Sequence, residues 1–223
     1  MTALKLCVRL ACIFSVILHK SSMKYAGIHA SDLYKLTKNL TAQYTQSLCG
    51  IAKILSKEYH MNILFKKIIN ANVADICALK VFEDQKSFVA PNTVSLAEAF
   101  ASRNENIFAM PFGIYDENTL IGFIMFGYDT LDEPNEPEIA KGNYIIWRLM
   151  IDQSFQGKGY AEPILKKAVE YIETFPAGRA DYIWLSYEKE NARAREVYYK
   201  FGFRENGEMC GDEIVAVYSL KKE

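Results

Sequence analysis

The stretch from Tyr144 to Ala161, with the sequence YIIWRLMIDQSFQGKGYA, constrains the fold more than any other part of this chain. Its first half is apolar and β-branched with a single charge, which is typical of a central strand and lacks the periodicity of a surface helix. Gly157 and Gly159 then predict a turn, and the residues after Ala161 place their apolar side chains on one face of a helix. The predicted order is strand, glycine turn, helix.

Such a turn suits an anion, because glycines let the backbone approach a ligand and the first N–H groups of a helix point outward. The P-loop is excluded, since Tyr160 and Ala161 stand where that motif needs a lysine and a hydroxyl. The dinucleotide fingerprint fails because Glu162 takes its third glycine position. A kinase glycine loop would need HRD and DFG sequences downstream, and the chain has neither.

The pattern that remains is Q/R-x-x-G-x-G/A, which residues 156–161 match as QGKGYA. A second stretch, NARAREVYYKFGF from Asn191 to Phe203, matches N-x-x-A-x-x-[LV]-Y-x-K-x-G-F. It also has the features of a helix with an asparagine start signal and a glycine stop at Gly202. With both motifs in this order, the chain resembles the GNAT family of acetyl-CoA-dependent N-acetyltransferases.

Composition bounds the remaining possibilities. The chain has 223 residues, half of them apolar, which is enough for one good core. Its 26 Lys and Arg residues balance 27 Asp and Glu residues, so no global field favours nucleic acid or a membrane. The five cysteines form no CxxC pair and have no metal-ligand spacing, so we expect no metal site and reduced cysteines in the cytosol.

The first 60 residues are expected to form an extension, with the acetyltransferase domain at 61–223. The apolar run Leu10–Leu18 has the length of a signal-peptide core, and residues 31–60 have the spacing of amphipathic helices. Export would separate the domain from cytosolic acetyl-CoA, so a cytoplasmic protein is the prediction despite this signal-like start. The sequence leaves the oligomeric state open, a homodimer included.

Within the domain, the patterns predict an α/β fold with a mixed, twisted sheet. The resemblance implies that the sheet is mainly antiparallel, is flanked by helices and contains a splayed central strand pair. The predicted strands cover residues 63–68, 108–115, 120–128, 144–151, 182–187 and 214–220, and the predicted helices cover 73–79, 95–102, one following Ala161 and one from Asn191.

The resemblance also assigns the acetyl-CoA contacts. It implies that the backbone of Leu149, Met150 and Ile151 pairs with pantetheine like an added strand, and that amides from Gly157 to Ala161 hold the pyrophosphate. Asn191 either contacts this co-substrate or only caps its helix. The full set of expected co-substrate residues is Leu149, Met150, Ile151, Gln156, Gly157, Lys158, Gly159, Tyr160, Ala161 and Asn191.

Acetyl transfer to an amine needs two proton transfers. The position that matches the family's tyrosine acid is Tyr198, which would protonate the departing thiolate. All three histidines precede Met61, so a domain that begins there must use a carboxylate or a water as base. Glu138 and Glu188 are the candidates that the sequence offers.

The substrate is less well determined. The stretches FVAPNTVSLAEAF (88–100) and FIMFGYD (123–129) resemble the bacterial polyamine acetyltransferases within the family. A polycation gains from a cleft lined by carboxylates, which Glu83, Asp84 and the acidic loop from Asp129 to Glu138 would supply. The alternatives are another amine substrate (an aminoglycoside, an amino acid or a protein N-terminus) and a non-catalytic module that senses CoA.

Overall fold

The computed structural model describes residues 61–131 and 136–221. The described residues belong to one compact unit, Met61–Glu223. The expectations for residues 1–60, and for Asp132 and Glu133 in the acidic loop, lie outside the described residues.

A seven-stranded sheet forms the centre of this unit. In chain order its strands are β1 (Ile63–Lys67), β2 (Phe108–Asp116), β3 (Thr119–Tyr128), β4 (Tyr144–Ile151), β5 (Tyr182–Tyr187), β6 (Arg204–Cys210) and β7 (Glu213–Ser219). Their order across the sheet is β1-β2-β3-β4-β5-β7-β6. Only the β4–β5 pair is parallel among the pairs described, and the other five are antiparallel.

Four α-helices accompany the sheet: α1 (Val73–Ala78), α2 (Asn92–Asn104), α3 (Ala161–Ile172) and α4 (Ala192–Phe201). Two short 3-10 segments, Glu83–Gln85 and Glu138–Ala140, lie in the loops that precede α2 and β4. These helices and the mostly antiparallel sheet confirm the predicted α/β class.

The central strands, β4 and β5, are paired over a short segment and then diverge. β4 and β5 are paired only at Tyr144 with Ile183 and at Ile145 with Trp184. Beyond these positions β4 continues to Ile151 and β5 continues to Tyr187 without further pairing between them. This is the splayed central pair that the resemblance implied, and it leaves two open strand edges facing a gap.

β4 also contains a bulge. Against β3, Ile146 pairs with Phe126 and Arg148 pairs with Met125, so Trp147 is an extra residue without a partner. An extra residue reverses the alternation of side chains between the two faces of a sheet. Tyr144 and Ile146 pack in the core under α3. Leu149 and Ile151 pack in the same core, although each is an odd number of residues from Ile146 and would face the opposite side of a regular strand.

The hydrophobic core lies on both faces of the sheet. The main cluster joins β1–β5 and β7 to α3, whose buried side chains are Ile164, Leu165, Ala168 and Ile172. On the opposite face, α1 and α2 cover Phe123, Met125 and Met150. The far end of this second face is covered by Ala140 and its neighbours, which pack on Ile145, Trp184 and Val215.

The sequence missed one strand. β6 has the sequence RENGEMC, in which most residues are exposed and apolar and polar residues do not alternate. It is an edge strand that pairs only with β7, and its register is interrupted between Glu205 and Met209 around Gly207. An edge strand without a buried face carries no hydrophobic signal in the sequence.

Candidate functional site

The glycine turn has the geometry of a cradle for a ligand. Gly157 and Gly159 have φ angles of 75° and 86°, in the left-handed region that side chains rarely adopt. Among the described residues, a Cβ atom at Gly157 would meet no atom within 4 Å, and one at Gly159 would meet only the Met61 side chain, at 3.9 Å. The protein therefore leaves open the space beside both glycines, directly ahead of the N-terminus of α3.

Gln156 holds this turn in place. Its side-chain amide donates to the backbone oxygen of Ile151 at 3.0 Å and exchanges two hydrogen bonds with Gln85, at 2.8 and 3.0 Å. Its carbonyl oxygen also accepts from the Arg193 guanidinium at 3.3 Å. Gln156 thus links the end of β4, the loop before α2 and the first turn of α4. It also brings an arginine beside the turn, a contact that could not be predicted from the sequence.

Tyr160 and Lys158, the other large side chains of the turn, make different contacts. Tyr160 is 6% exposed, packs in the main core and donates from its hydroxyl to Asp116 at 2.9 Å. Its side chain therefore anchors the turn to the β2–β3 hairpin. Lys158 is exposed, with its ammonium 5.1 Å from the centre of the Phe155 ring.

Asp152, directly after β4, also holds the segment before the glycine turn in place. Its carboxylate accepts from the backbone amides of Lys80 and Ser154, each at 2.9 Å. Burial alone would raise the pKa of this carboxyl, but the two amide bonds outweigh it and lower the pKa below its usual value. Asp152 thereby fixes the end of β4 to the loop that follows α1, and the sequence analysis did not single it out.

Leu149, Met150 and Ile151 lie on the open edge that was predicted for them. They pair with Ile124, Phe123 and Gly122 of β3 on one side. On the other side, β5 has already separated. The unpaired backbone groups of this edge therefore run toward Asp152 and the glycine turn, and an extended ligand could continue the sheet along them.

α4 borders the gap from β5. Asn191 caps it, since its side-chain oxygen accepts from the Ala194 amide at 3.1 Å. Gly202 ends the helix with a φ of 128°. The Tyr198 ring packs on Tyr187 and Phe203, with centroid distances of 5.9 and 5.8 Å. Tyr187 belongs to the part of β5 that has left β4, so Tyr198 lies beside the splayed segment.

Tyr198 is held in its protonated form. Burial, the charge of Glu213 and the neighbouring Tyr187 together raise its pKa to about 12. Tyr198 also borders a cavity of about 500 Å³, whose lining includes Tyr187, Arg195, Phe203 and Glu205. That lining does not reach the glycine turn, so the cavity and the turn are separate features of the surface.

The acidic residues predicted to bind substrate are dispersed. Glu83 and Asp84 are exposed in the loop whose Gln85 bonds Gln156, and Glu83 pairs with Lys86 at 2.7 Å. Glu138 is exposed in a different loop, next to Ile139, whose amide donates to Glu208 of β6. The structure therefore places Glu83 and Asp84 near the glycine turn and Glu138 near β6.

Two contacts of charged side chains that the sequence did not predict lie on the face of the sheet opposite α3. Arg148 of β4 pairs with Glu98 of α2 at 3.1 Å. Ser186 of β5 donates a short hydrogen bond to the carboxylate of Glu213 in β7. Both contacts join residues distant in the chain, and only a polar residue within an otherwise apolar strand pattern could have drawn attention to them.

Comparisons with known proteins identify the family. Residues 77–203 match the model of the acetyltransferase (GNAT) family. The chain is 33% identical to the spermine/spermidine N(1)-acetyltransferase of Bacillus subtilis (strain 168) over 151 residues, which cover 67% of this chain and 92% of the relative. A probable spermine N(1)-acetyltransferase from Bacillus subtilis subsp. natto (strain BEST195) is equally similar, at 33% with the same coverage.

Solved structures agree on the fold. A crystal structure of aminoglycoside acetyltransferase AAC(6')-Ib in complex with coenzyme A superposes with a TM-score of 0.59 at 16% identity, covering 71% of this chain and 95% of that one. The chain thus belongs to the acetyltransferase (GNAT) family, whose members transfer an acetyl group to an amine. This confirms the resemblance inferred from the two motifs.

The part of the chain that the structure describes lacks a membrane-spanning helix and a metal-binding cluster. It contains no helix that is long and apolar enough to cross a membrane. It also contains no group of three or more His, Cys, Asp or Glu side chains arranged to hold a metal ion.

Asp152 yields a prediction about stability. Because its folded-state pKa is lowered, its contribution is complete above the ordinary aspartate pKa of about 3.9 and is lost as the pH falls through the folded value. We expect Asp152→Asn to reduce the free energy of unfolding by about 1–2 kcal/mol at pH 7, and this difference to shrink below about pH 4. Urea unfolding from pH 3 to 8 measures both, with the exposed Asp84→Asn as control. Equal stability of wild type and Asp152→Asn at pH 7 would contradict the assignment.

Proposed function

We propose that this chain acetylates a primary amine of a polyamine, such as spermidine or spermine, with acetyl-CoA as the acetyl donor. The observation that carries the proposal is the open edge of β4, which leads without interruption into the glycine turn. The polyamine assignment is supported by the Bacillus subtilis relatives, which are named for spermine and spermidine and are matched over 92% of their length.

The site has a suitable place for each part of acetyl-CoA. The pantetheine amides would pair with the open edge of β4 over Leu149, Met150 and Ile151, where the Ile151 oxygen already accepts from Gln156. The pyrophosphate would lie beside Gly157 and Gly159, where the space that a Cβ atom would take is open, and would accept from the first amides of α3. Gln156 positions the turn, and Lys158 and the nearby Arg193 supply positive charge.

Tyr198 is suited to protonate the departing CoA thiolate. A tyrosine with a pKa of about 12 remains protonated at neutral pH, so its proton is available when the carbon–sulfur bond breaks. Asn191 caps α4 through its side-chain oxygen, which leaves the donor end of that amide for the co-substrate. Asn191 would therefore both cap α4 and contact the co-substrate, the two roles that the sequence left open.

A polycationic substrate would require carboxylates along its path. Glu83 is already paired with Lys86, so its charge is largely neutralised. Asp84 and Glu138 stay candidates for contacting the distal ammonium groups. The similarity to aminoglycoside acetyltransferase is at 16% identity and concerns the fold alone, so it does not argue for an aminoglycoside.

A substrate panel tests the proposed function. CoA thiol release would be measured with spermine, spermidine, putrescine, kanamycin, free amino acids and short peptides at equal concentrations. We expect the highest kcat/KM with a polyamine. Equal or faster turnover of kanamycin or a peptide would overturn the polyamine assignment. Tight CoA binding without turnover of any amine would favour a CoA-sensing module.

The glycine turn yields a prediction about co-substrate affinity. A valine at Gly159 places its side chain in the space left for the pyrophosphate, so Gly159→Val should weaken acetyl-CoA binding about tenfold or more, as measured by calorimetry. Gly207→Val is the matched control, because Gly207 has a nearly equal φ of 89° and open space but lies in β6. Circular dichroism verifies folding of both variants. Unchanged affinity in folded Gly159→Val would place the pyrophosphate elsewhere.

Tyr198 yields a prediction about turnover. Phenylalanine keeps the ring contacts with Tyr187 and Phe203 but removes the hydroxyl, so Tyr198→Phe should fold normally and bind acetyl-CoA as the wild type does. We expect kcat to fall about 10²-fold, near the lower end of what general acid catalysis contributes, because a thiolate is a fair leaving group. Tyr199→Phe is the control, since Tyr199 is 63% exposed and lies against Arg204. Wild-type turnover of Tyr198→Phe would remove this residue from the reaction.

A further inference from the structure

The remaining chemical requirement is a base for the substrate amine. A primary alkylammonium has a pKa of about 10.4, so it arrives protonated at neutral pH and must lose a proton before or during attack. All three histidines of the chain precede Met61, and the described residues therefore contain none. A carboxylate beside the gap between β4 and β5 would meet the requirement.

Glu213 is a carboxylate on β7, the strand that pairs with β5 on the side away from β4. It is the first residue of β7, where the next residue, Ile214, pairs with Tyr187 at the end of β5. The hydroxyl of Ser186 donates to its carboxylate. Ser186 and Tyr187 both lie beyond Trp184, the last β5 residue that pairs with β4. The carboxylate is therefore tied to the part of β5 that borders the gap, at the carboxyl end of the parallel pair, where crevices in α/β sheets take ligands.

Glu213 also lies close to the proposed acid. Its charge is one of the causes that raise the pKa of Tyr198, and it acts in the same direction on the thiol of Cys210 in β6. The reaction removes a proton from the amine and delivers one to the thiolate, so its base and acid must both approach the same thioester. Glu213 and Tyr198 come from different elements and contact neighbouring residues of β5, Ser186 and Tyr187 respectively.

Two other carboxylates in this part of the fold are already engaged. Glu98 accepts from the Arg148 guanidinium at 3.1 Å. Glu205 accepts from the Tyr187 hydroxyl at 2.9 Å and from Arg195 at 2.7 Å. Glu213 is hydrogen-bonded by the neutral Ser186, and no ion pair to a Lys or Arg is found for it within the described part of the chain. Its negative charge therefore remains available to an ammonium group.

Two buried donors on the diverging strands have no acceptor among the described residues. The indole N–H of Trp184, a residue with no exposed surface, and the Nε–H of Arg148 make no hydrogen bond with described residues. Buried donors are almost always satisfied by protein, water or ligand. Trp184 lies in β5 just before Ser186, and Arg148 lies in β4 just beyond its last pairing with β5.

We infer that the carboxylate of Glu213 binds the attacking ammonium group and accepts its proton, an inference that rests on the proposed function. Glu213 first takes one proton from the ammonium group and passes it to solvent, so that the neutral nitrogen can attack the acetyl carbonyl carbon. A second N–H proton passes to Glu213 as the nitrogen–carbon bond forms. The carbon–sulfur bond then breaks, and Tyr198 protonates the sulfur. The products are the acetylated amine and CoA, and the proton on Glu213 leaves to solvent as Tyr198 regains one. Ser186 is a positioning residue that orients the carboxylate.

The test compares Glu213→Gln with wild type from pH 6.5 to 9.5, using the best amine of the substrate panel. Glutamine keeps an oxygen for the Ser186 hydroxyl but cannot accept the proton. We expect kcat/KM for the amine to fall about 10²-fold at pH 7, with unchanged acetyl-CoA affinity by calorimetry. The deficit should shrink toward pH 9.5, because free amine becomes abundant as the pH nears the amine pKa.

The groups around Glu213 do not obscure this readout. Tyr198 of α4 and Cys210 of β6 have pKa values raised to about 12 and about 11, so both stay protonated over the range used. Arg148 of β4 and Glu136 also act electrostatically on Cys210, and Glu205 and Arg195 act on Tyr187. A merely structural defect would reduce turnover by the same factor at every pH.

Asp212→Asn is the matched control, because Asp212 is the exposed neighbouring carboxylate in the turn before β7. It should retain wild-type kinetics, and Ser186→Ala should show a smaller, pH-dependent loss. If wild type is active and Glu213→Gln keeps its full kcat/KM, or loses activity equally at all pH values, the inference is overturned while the proposed function stands. Wild type without turnover of any amine overturns the proposed function, and this inference with it.

Discussion

The site depends on the early end of pairing between β4 and β5. Two parallel strands that stayed in register would satisfy each other's backbone groups and bury the centre of the sheet. Here the pairing stops after Ile145 and Trp184, so six residues of β4 run on with one free edge. The cost of these unpaired donors and acceptors is recovered only if another group fills the gap. The open edge is thus a structural defect in the isolated sheet and, in the function proposed for this chain, the surface that binds acetyl-CoA.

Keeping such a gap open requires rigid borders. On the β4 side the borders are polar: Asp152 accepts two backbone amides, Gln156 bonds three segments, and Tyr160 reaches across to Asp116. On the β5 side they are aromatic, since Tyr187, Tyr198 and Phe203 pack on one another. Directional hydrogen bonds fix the turn where a phosphate group needs amides at defined positions. Aromatic packing holds α4 where a hydroxyl must remain buried and protonated.

Much of the fold could be predicted from the sequence because its signals are local. Tyr144–Ile151 is apolar along its length, Asn191 and Gly202 delimit a helix, and both glycines of the turn require the left-handed backbone. The sequence could not predict which residues distant in the chain contact one another. Nothing local to Arg193 or Gln85 indicates that both bond Gln156, and nothing local to Glu213 indicates Ser186. β6 escaped because an exposed edge strand needs no apolar alternation.

The bulge at Trp147 has a consequence for how this strand can change in length. Without the extra residue, Leu149 and Ile151 would exchange faces with Met150, and every side chain beyond Arg148 would leave its own core for the opposite one. The same shift would turn backbone amides that now face the gap toward β3. β4 can therefore tolerate conservative substitution, but it cannot lose or gain a single residue between Ile146 and Asp152. The number of residues, more than their identity, determines which atoms of this strand the gap presents.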